Sequence, residues 1–189
     1  MSTVELRWRD KVLQNFQAQL SEFGERDARV LMRIALNKKG TSAYVAVKRN
    51  LVIQTGVSYD QIGTQVHEVK ASEANLVYKV HADGQETNLM LFKPYSGARM
   101  FTAAPWGVRH AFPRTFQPNR DPGRYVFHRW VSGGVRKIKP SFGPNISVEM
   151  MKEPIPSEFE FAALQVFPEI ARLCKLKLAG LGPFGEVEE

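Results

Sequence analysis

The spacing of apolar side chains changes twice along this chain, from the helical period of about 3.6 residues to the strand period of two and back again. Val12, Leu13, Phe16, Leu20 and Phe23 recur three and four apart, which predicts a first amphipathic helix. Gly24 interrupts the pattern; it resumes through Ala28, Leu31, Ile34 and Ala35 and breaks again at Asn37, Lys38, Lys39 and Gly40. A third helix is then expected, capped by Thr41 or Ser42, with Tyr44, Val47 and Leu51 on one face and Gly56 at a left-handed stop. Ser58 and Gln61 have capping-box spacing, which predicts a short helix over residues 58–62.

Beyond it, Leu76, Tyr78 and Val80 alternate with Val77, Lys79 and His81 before an Asp83-Gly84 pair, the pattern of a hairpin returning over residues 87–92. Aromatic stretches at 107–116 and 125–131 predict two more strands, flanking a turn at Asp121-Pro122-Gly123. Residues 136–140 predict a short edge strand, because Pro140 lacks the N–H that a central ladder needs. After a break at Gly143-Pro144 the helical period returns. Ser157 and Glu160 form a second capping-box pattern, Lys175 and Lys177 sit where the helix dipole favours cations, and Pro168 should kink or split the element. The expected fold is therefore α+β, with N-terminal helices, a central mainly antiparallel β-sheet and a C-terminal helix. Residues 1–179 are expected to form a single domain, and residues 180–189, with three glycines and three acids, a flexible acidic tail.

A chain of 189 residues, 43% of them hydrophobic, can bury roughly 70% of its unfolded surface and needs neither disulfide nor metal to hold a core. Its single cysteine, Cys174, excludes an intrachain bridge and a four-cysteine zinc cage, and suits an intracellular or assembly-delivered protein. There is no apolar run of the roughly 18 residues that span a bilayer, and charges occupy the opening residues where a signal peptide has its apolar stretch. The expectation is a soluble protein with no membrane partner.

The net charge of +7 is unevenly distributed. Residues 96–140 carry nine cations, Arg99, Arg109, Arg114, Arg120, Arg124, Arg129, Arg136, Lys137 and Lys139, against Asp121 alone, whereas residues 141–189 carry four cations against eight acids. Seven of the nine are arginines, whose planar guanidinium suits phosphate or carboxylate recognition. Phe101, Trp106, Phe112, Phe116, Tyr125, Phe127 and Trp130 are interleaved with them, so the block reads as folded sheet rather than a basic tail. These cations are the candidate contacts to neighbouring subunits or to DNA; solvation of a sheet face is the plainer alternative.

Catalytic signals are missing. His67, His81, His110 and His128 have no ligand spacing and read as sheet residues, and Cys174 reads as a buried inert thiol. There is no nucleophile elbow, Walker loop or dinucleotide fingerprint, so no enzyme activity, metal or cofactor is expected.

The order of features resembles the minor tail protein Z or tail completion proteins of long-tailed bacteriophages. The resemblance rests on ALNKKGTSAYVAVKRNLVIQTGVSYDQI (residues 35–62), HAFPRTF (110–116), YVFHRW (125–130) and IKPSFGPNI (138–146). The family's late Gly-Pro-Ser turn stands here as Gly143-Pro144-Asn145. The resemblance implies a structural virion protein, made in the host cytoplasm and placed at the head-proximal end of the tail. It would form a ring or collar that joins tail to head, with other copies of itself and the tail terminator, tube or neck proteins as partners, and genomic double-stranded DNA in the channel as a further contact. A DNA-binding module using the arginine-rich block is the alternative.

Overall fold

The computed structural model describes residues 4–7, 25–96, 100–118, 125–132 and 134–178. The expected helix over residues 12–23, the turn at 121–123 and the tail at 180–189 lie outside them. The fold is α+β. Its helices are α1 (Glu25–Thr55), α2 (Tyr59–Gln65), α3 (Ile146–Glu149), α4 (Ile155–Leu164) and α5 (Val166–Leu178). Its strands are β1 (Val4–Arg7), β2 (Val66–Val69), β3 (Lys79–Ala82), β4 (Glu86–Asn88), β5 (Tyr95–Ser96), β6 (Phe101–Ala103), β7 (His110–Phe112), β8 (Thr115–Phe116), β9 (Val126–Ser132) and β10 (Val135–Asn145). Three sheets form, with strand orders β1-β3-β2, β4-β10-β9-β8 and β5-β6-β7. The described chain clusters into two compact units, between which the chain passes at Ala46/Val47 within α1 and again at His67/Glu68, Val80/His81 and Ile155/Pro156.

One unit is built mainly from residues 25–46, 68–80 and 156–178. Ala28, Leu31, Met32, Ala35 and Leu36 of α1 are buried in it, as are Phe159 of α4 and Val166, Ile170 and Leu173 of α5. The expected helix break at residues 37–40 is overturned, since α1 runs through it without interruption. The polar residues there have partners elsewhere in the unit. Asn37 Nδ2 donates to Ala71 O at 3.0 Å while Ala71 N donates back to Asn37 Oδ1 at 2.8 Å, and Lys38 Nζ reaches Glu169 Oε1 at 2.9 Å. Gly40 is a packing site, with the ring of Tyr78 against its Cα. Glu169 is buried beneath Lys38 and Arg172, and the Arg172 guanidinium, 2.7 Å away, holds its carboxyl down to about 2. Pro168 lies in the first turn of α5, where no helical hydrogen bond is lost, and the expected split falls just before it at Gln165. Ser157 is inside α4 and not at its cap. Cys174 is buried, which pushes its thiol up.

The other unit holds residues 47–67 and 81–155. Gly56 ends α1 at φ 76°, as expected of a left-handed stop, with its N–H donating to Val52 O at 2.9 Å. The short helix α2 forms after Ser58, although the Ser58 side chain makes no capping bond. Glu149, nearly buried, receives Trp106 Nε1 at 3.1 Å, Lys152 Nζ at 2.8 Å and Gln54 Nε2 at 3.0 Å.

The hairpin expected at Asp83-Gly84 does not form, because β3 and β4 belong to different sheets. Asp83 N donates to Gln65 O at 2.8 Å. Across the next sheet, Thr87 donates its hydroxyl to Pro144 O at 2.6 Å and Asn145 Nδ2 donates to Gly84 O at 3.0 Å, so the returning segment pairs with β10. That strand also corrects the expectation of a short edge at residues 136–140: it runs eleven residues and lies between β4 and β9. Pro140 fits there for a reason of parity. Arg129 N donates to Arg114 O across β8, so the backbone of Phe127 also faces β8, and Pro140, paired with Phe127, faces away from β9. On that side β4 registers with β10 only from Phe142 to Asn145, so the missing N–H breaks no ladder bond.

Candidate basic interface

The sheet β4-β10-β9-β8 positions the arginine-rich block. Ser132 pairs with Val135, so β9 turns directly into β10, with Gly134 at φ 75° as such tight links require. From Lys139 back to Val135 every residue of β10 is exposed. β8 reaches β9 only at His128 and Phe127, so the outer half of the pair is a two-stranded ribbon. Period-two alternation then sorts the side chains. Arg129 and Ile138 pair across one face with Val131 and Arg136 as the next row, while Trp130 with Lys137 and His128 with Lys139 occupy the other.

Arg114, Arg129 and Arg136 converge on a cavity of about 460 Å³ that Thr115, Phe116, Trp130 and Val131 also line. The Arg129 guanidinium stacks 4.4 Å from the centre of the Phe116 ring, a contact of about 0.5–1 kcal/mol at an exposed site. Lys139 and Lys137 lie 4.5 and 5.7 Å from the Trp130 ring, and Trp130 Nε1 is a buried donor with no partner among the described residues. Arg114 adopts φ 61°, a left-handed conformation that costs a non-glycine residue on the order of 1 kcal/mol. Among the described residues no carboxylate pairs with Arg114, Arg129, Arg136, Lys137 or Lys139. The cluster offers planar cations over an apolar floor, an arrangement able to take carboxylates or phosphates bidentately.

The other expected contacts fall elsewhere. Arg109 donates to Thr102 Oγ1 at 2.9 Å and to Lys93 O at 3.3 Å. Arg99, Arg120 and Arg124 lie outside the described residues. Gly143, Pro144 and Asn145 do not form the expected turn; they are the last three residues of β10. The aromatic ring of Phe92 occupies the place of a side chain at Gly143, where an added Cβ would stand 2.4 Å from it. Pro144 accepts from Thr87, and Asn145 Oδ1 caps α3 by accepting from Ser147 N at 3.0 Å and Val148 N at 3.3 Å.

Two contributors escaped the sequence reading. The exposed apolar residues Val131, Val135 and Ile138 are part of the same surface, and their signal was the alternation of apolar and basic residues either side of Gly133-Gly134. Phe116 and Trp130 serve as platforms for cations rather than as core. All four histidines lie in strands, as expected. Among the described residues no cluster of three or more histidine, cysteine or acidic side chains could hold a metal ion, and no helix is long and apolar enough to cross a membrane.

No family model, curated protein or solved structure matches this chain.

Proposed function

We propose that the chain is a structural virion protein of a tailed bacteriophage, a tail completion or neck protein that forms a ring or collar at the head-proximal end of the tail and joins it to the head. The observation that carries this reading is the β9–β10 ribbon. Four cations with no carboxylate partner among the described residues, Arg129, Arg136, Lys137 and Lys139, and three exposed aliphatic residues stand on the β9–β10 pair, whose outer half is two-stranded, and an isolated two-stranded ribbon is marginal unless something packs against it. A subunit that works by side-by-side contact uses such an element; the resemblance of residues 35–62, 110–116, 125–130 and 138–146 to tail completion proteins points to the head-proximal end of the tail. Other copies of the chain, the tail terminator and the tail tube are the partners in this reading.

The same cations support a second reading, a DNA-binding module, because a two-stranded ribbon is narrow enough to enter the major groove. The two differ in salt response. Phosphate contacts lose affinity steeply as salt rises, whereas a ring subunit binds duplex DNA weakly at physiological salt.

The test is negative-stain electron microscopy of lysates from a phage lacking this gene, with and without the protein supplied from a plasmid. Filled heads beside unjoined tails, rescued by the plasmid, are the expected result. Intact virions in the absence of the protein would remove the tail-completion reading.

A further inference from the structure

A second surface has the opposite charge and the same apolar character. On α4, Phe161 stands three residues after Glu158 and Leu164 four after Glu160, so all four fall within one half of the helix circumference. Phe161 and Leu164 are 62% and 68% exposed. Glu158 and Glu160 are exposed and have no cationic partner among the described residues. On the ribbon, Val131 and Ile138, 65% and 59% exposed, share their face with Arg129 and Arg136.

We propose that these two surfaces are the halves of one contact between copies of this chain: the acidic, apolar side of α4 in one copy docks on the basic, apolar face of the β9–β10 ribbon in the next. Charge complementarity within a single sequence is the argument for a second copy as the occupant. Carboxylates with no cationic partner among the described residues flank two exposed apolar residues on one side, and guanidiniums with no carboxylate partner among those residues flank two on the other. Arginine and carboxylate pair bidentately when planar and desolvated, and the apolar residues exclude water from the pair. Because the patches differ, the contact is head-to-tail, and repeated head-to-tail contacts close into a ring or continue as a filament. The proposal deepens the ring reading above and rests on it.

The test measures association of the full chain by sedimentation velocity over a concentration series. Glu158→Arg with Glu160→Arg makes one variant and Arg129→Glu with Arg136→Glu the other, each checked by circular dichroism for retained fold. Wild type is expected to associate, each variant alone to associate at least roughly tenfold more weakly, and the two variants mixed to assemble again, since each then offers the other a complementary surface. Phe161→Ser should weaken association without altering charge. Wild type that stays monomeric, variants that associate as wild type does, or a mixture that fails to recover would each overturn the contact. Loss of duplex DNA binding in the arginine variant with self-association intact would also overturn it, assigning the ribbon to phosphates. Virion assembly reports separately on the proposed function: unchanged joining of head and tail by both variants sinks this contact and leaves the tail-completion reading standing.

Discussion

Gly40 lies beneath the ring of Tyr78, so close that a β-carbon added at residue 40 would stand 2.5 Å from three atoms of that ring. Tyr78 is fully buried, and its hydroxyl donates to Glu68. Burial and that carboxylate together raise the phenol well above its ordinary value, so it stays protonated as a donor. In an exposed helix Gly→Ala would stabilise by about 1 kcal/mol. Here the ring must move, and Gly40→Ala is expected to destabilise by roughly 1–3 kcal/mol. Urea denaturation checks the sign, and in a Tyr78→Ala background the same Gly40→Ala change should become harmless or favourable.

Asn145 closes the N-terminus of α3 and ties Gly84 to it through its amide. Asn145→Ala should cost about 1–2 kcal/mol. Asn145→Asp keeps the capping oxygen but gives up the donor to Gly84, so its stability should fall between those of Asn145→Ala and wild type in thermal melts at neutral pH.

The carboxyl of Glu169 titrates at about 2 rather than at its ordinary 4.5, chiefly because Arg172 donates to it, with Lys38 adding to the effect against the opposing cost of burial. A depressed folded value means that the group's contribution is complete above about 4.5 and is lost as pH falls toward 2. Since Lys38 and Arg172 are half exposed, solvent screening reduces the contribution to about 2 kcal/mol. Urea midpoints measured from pH 5 down to pH 2 should fall less steeply in Glu169→Gln than in wild type. Parallel curves would show that the pair adds nothing.

Arg114 and Arg129 are neighbours across β8 and β9, yet their replacement by glycine should have opposite effects on stability. At Arg114, glycine relieves the φ 61° conformation and the change should be neutral or stabilising by up to about 1 kcal/mol. At Arg129 it removes the stack on Phe116 from a paired strand position and should cost about 1 kcal/mol. Both variants should weaken self-association. A stability cost at Arg114 equal to that at Arg129 would mean that the strained backbone is held by something other than the side chain's function.

The elements that sequence periodicity revealed are those whose burial follows a single period: the alternation of residues 125–131, the stop at Gly56 and the split before Pro168. Where it failed, a side chain of local meaning was claimed by a distant partner. Asn37, Lys38 and Gly40 look like a helix end because two are polar and one is glycine, but Ala71, Glu169 and Tyr78 supply their partners from as far as 131 residues away. Gly143-Pro144 looks like a turn because nothing local reveals that Phe92 and Thr87 pack there. The cations of the ribbon were visible from composition. Their division between two faces depended on register, which Pro140 obscured by suggesting an edge.

Pro140 has a further consequence for how the ribbon behaves before it finds a partner. The outer flank of β10 from Val135 to Lys139 runs beyond the reach of β4, and among the described residues no strand pairs with it; such a row of backbone groups is the usual template for uncontrolled growth of one sheet onto another. A proline whose nitrogen faces that flank interrupts the row next to the four exposed residues Arg136 to Lys139, three of them cationic, and like charges repel a second identical strand. The ribbon can therefore present apolar side chains from its faces while its border resists the edge-to-edge growth that leads to fibrils.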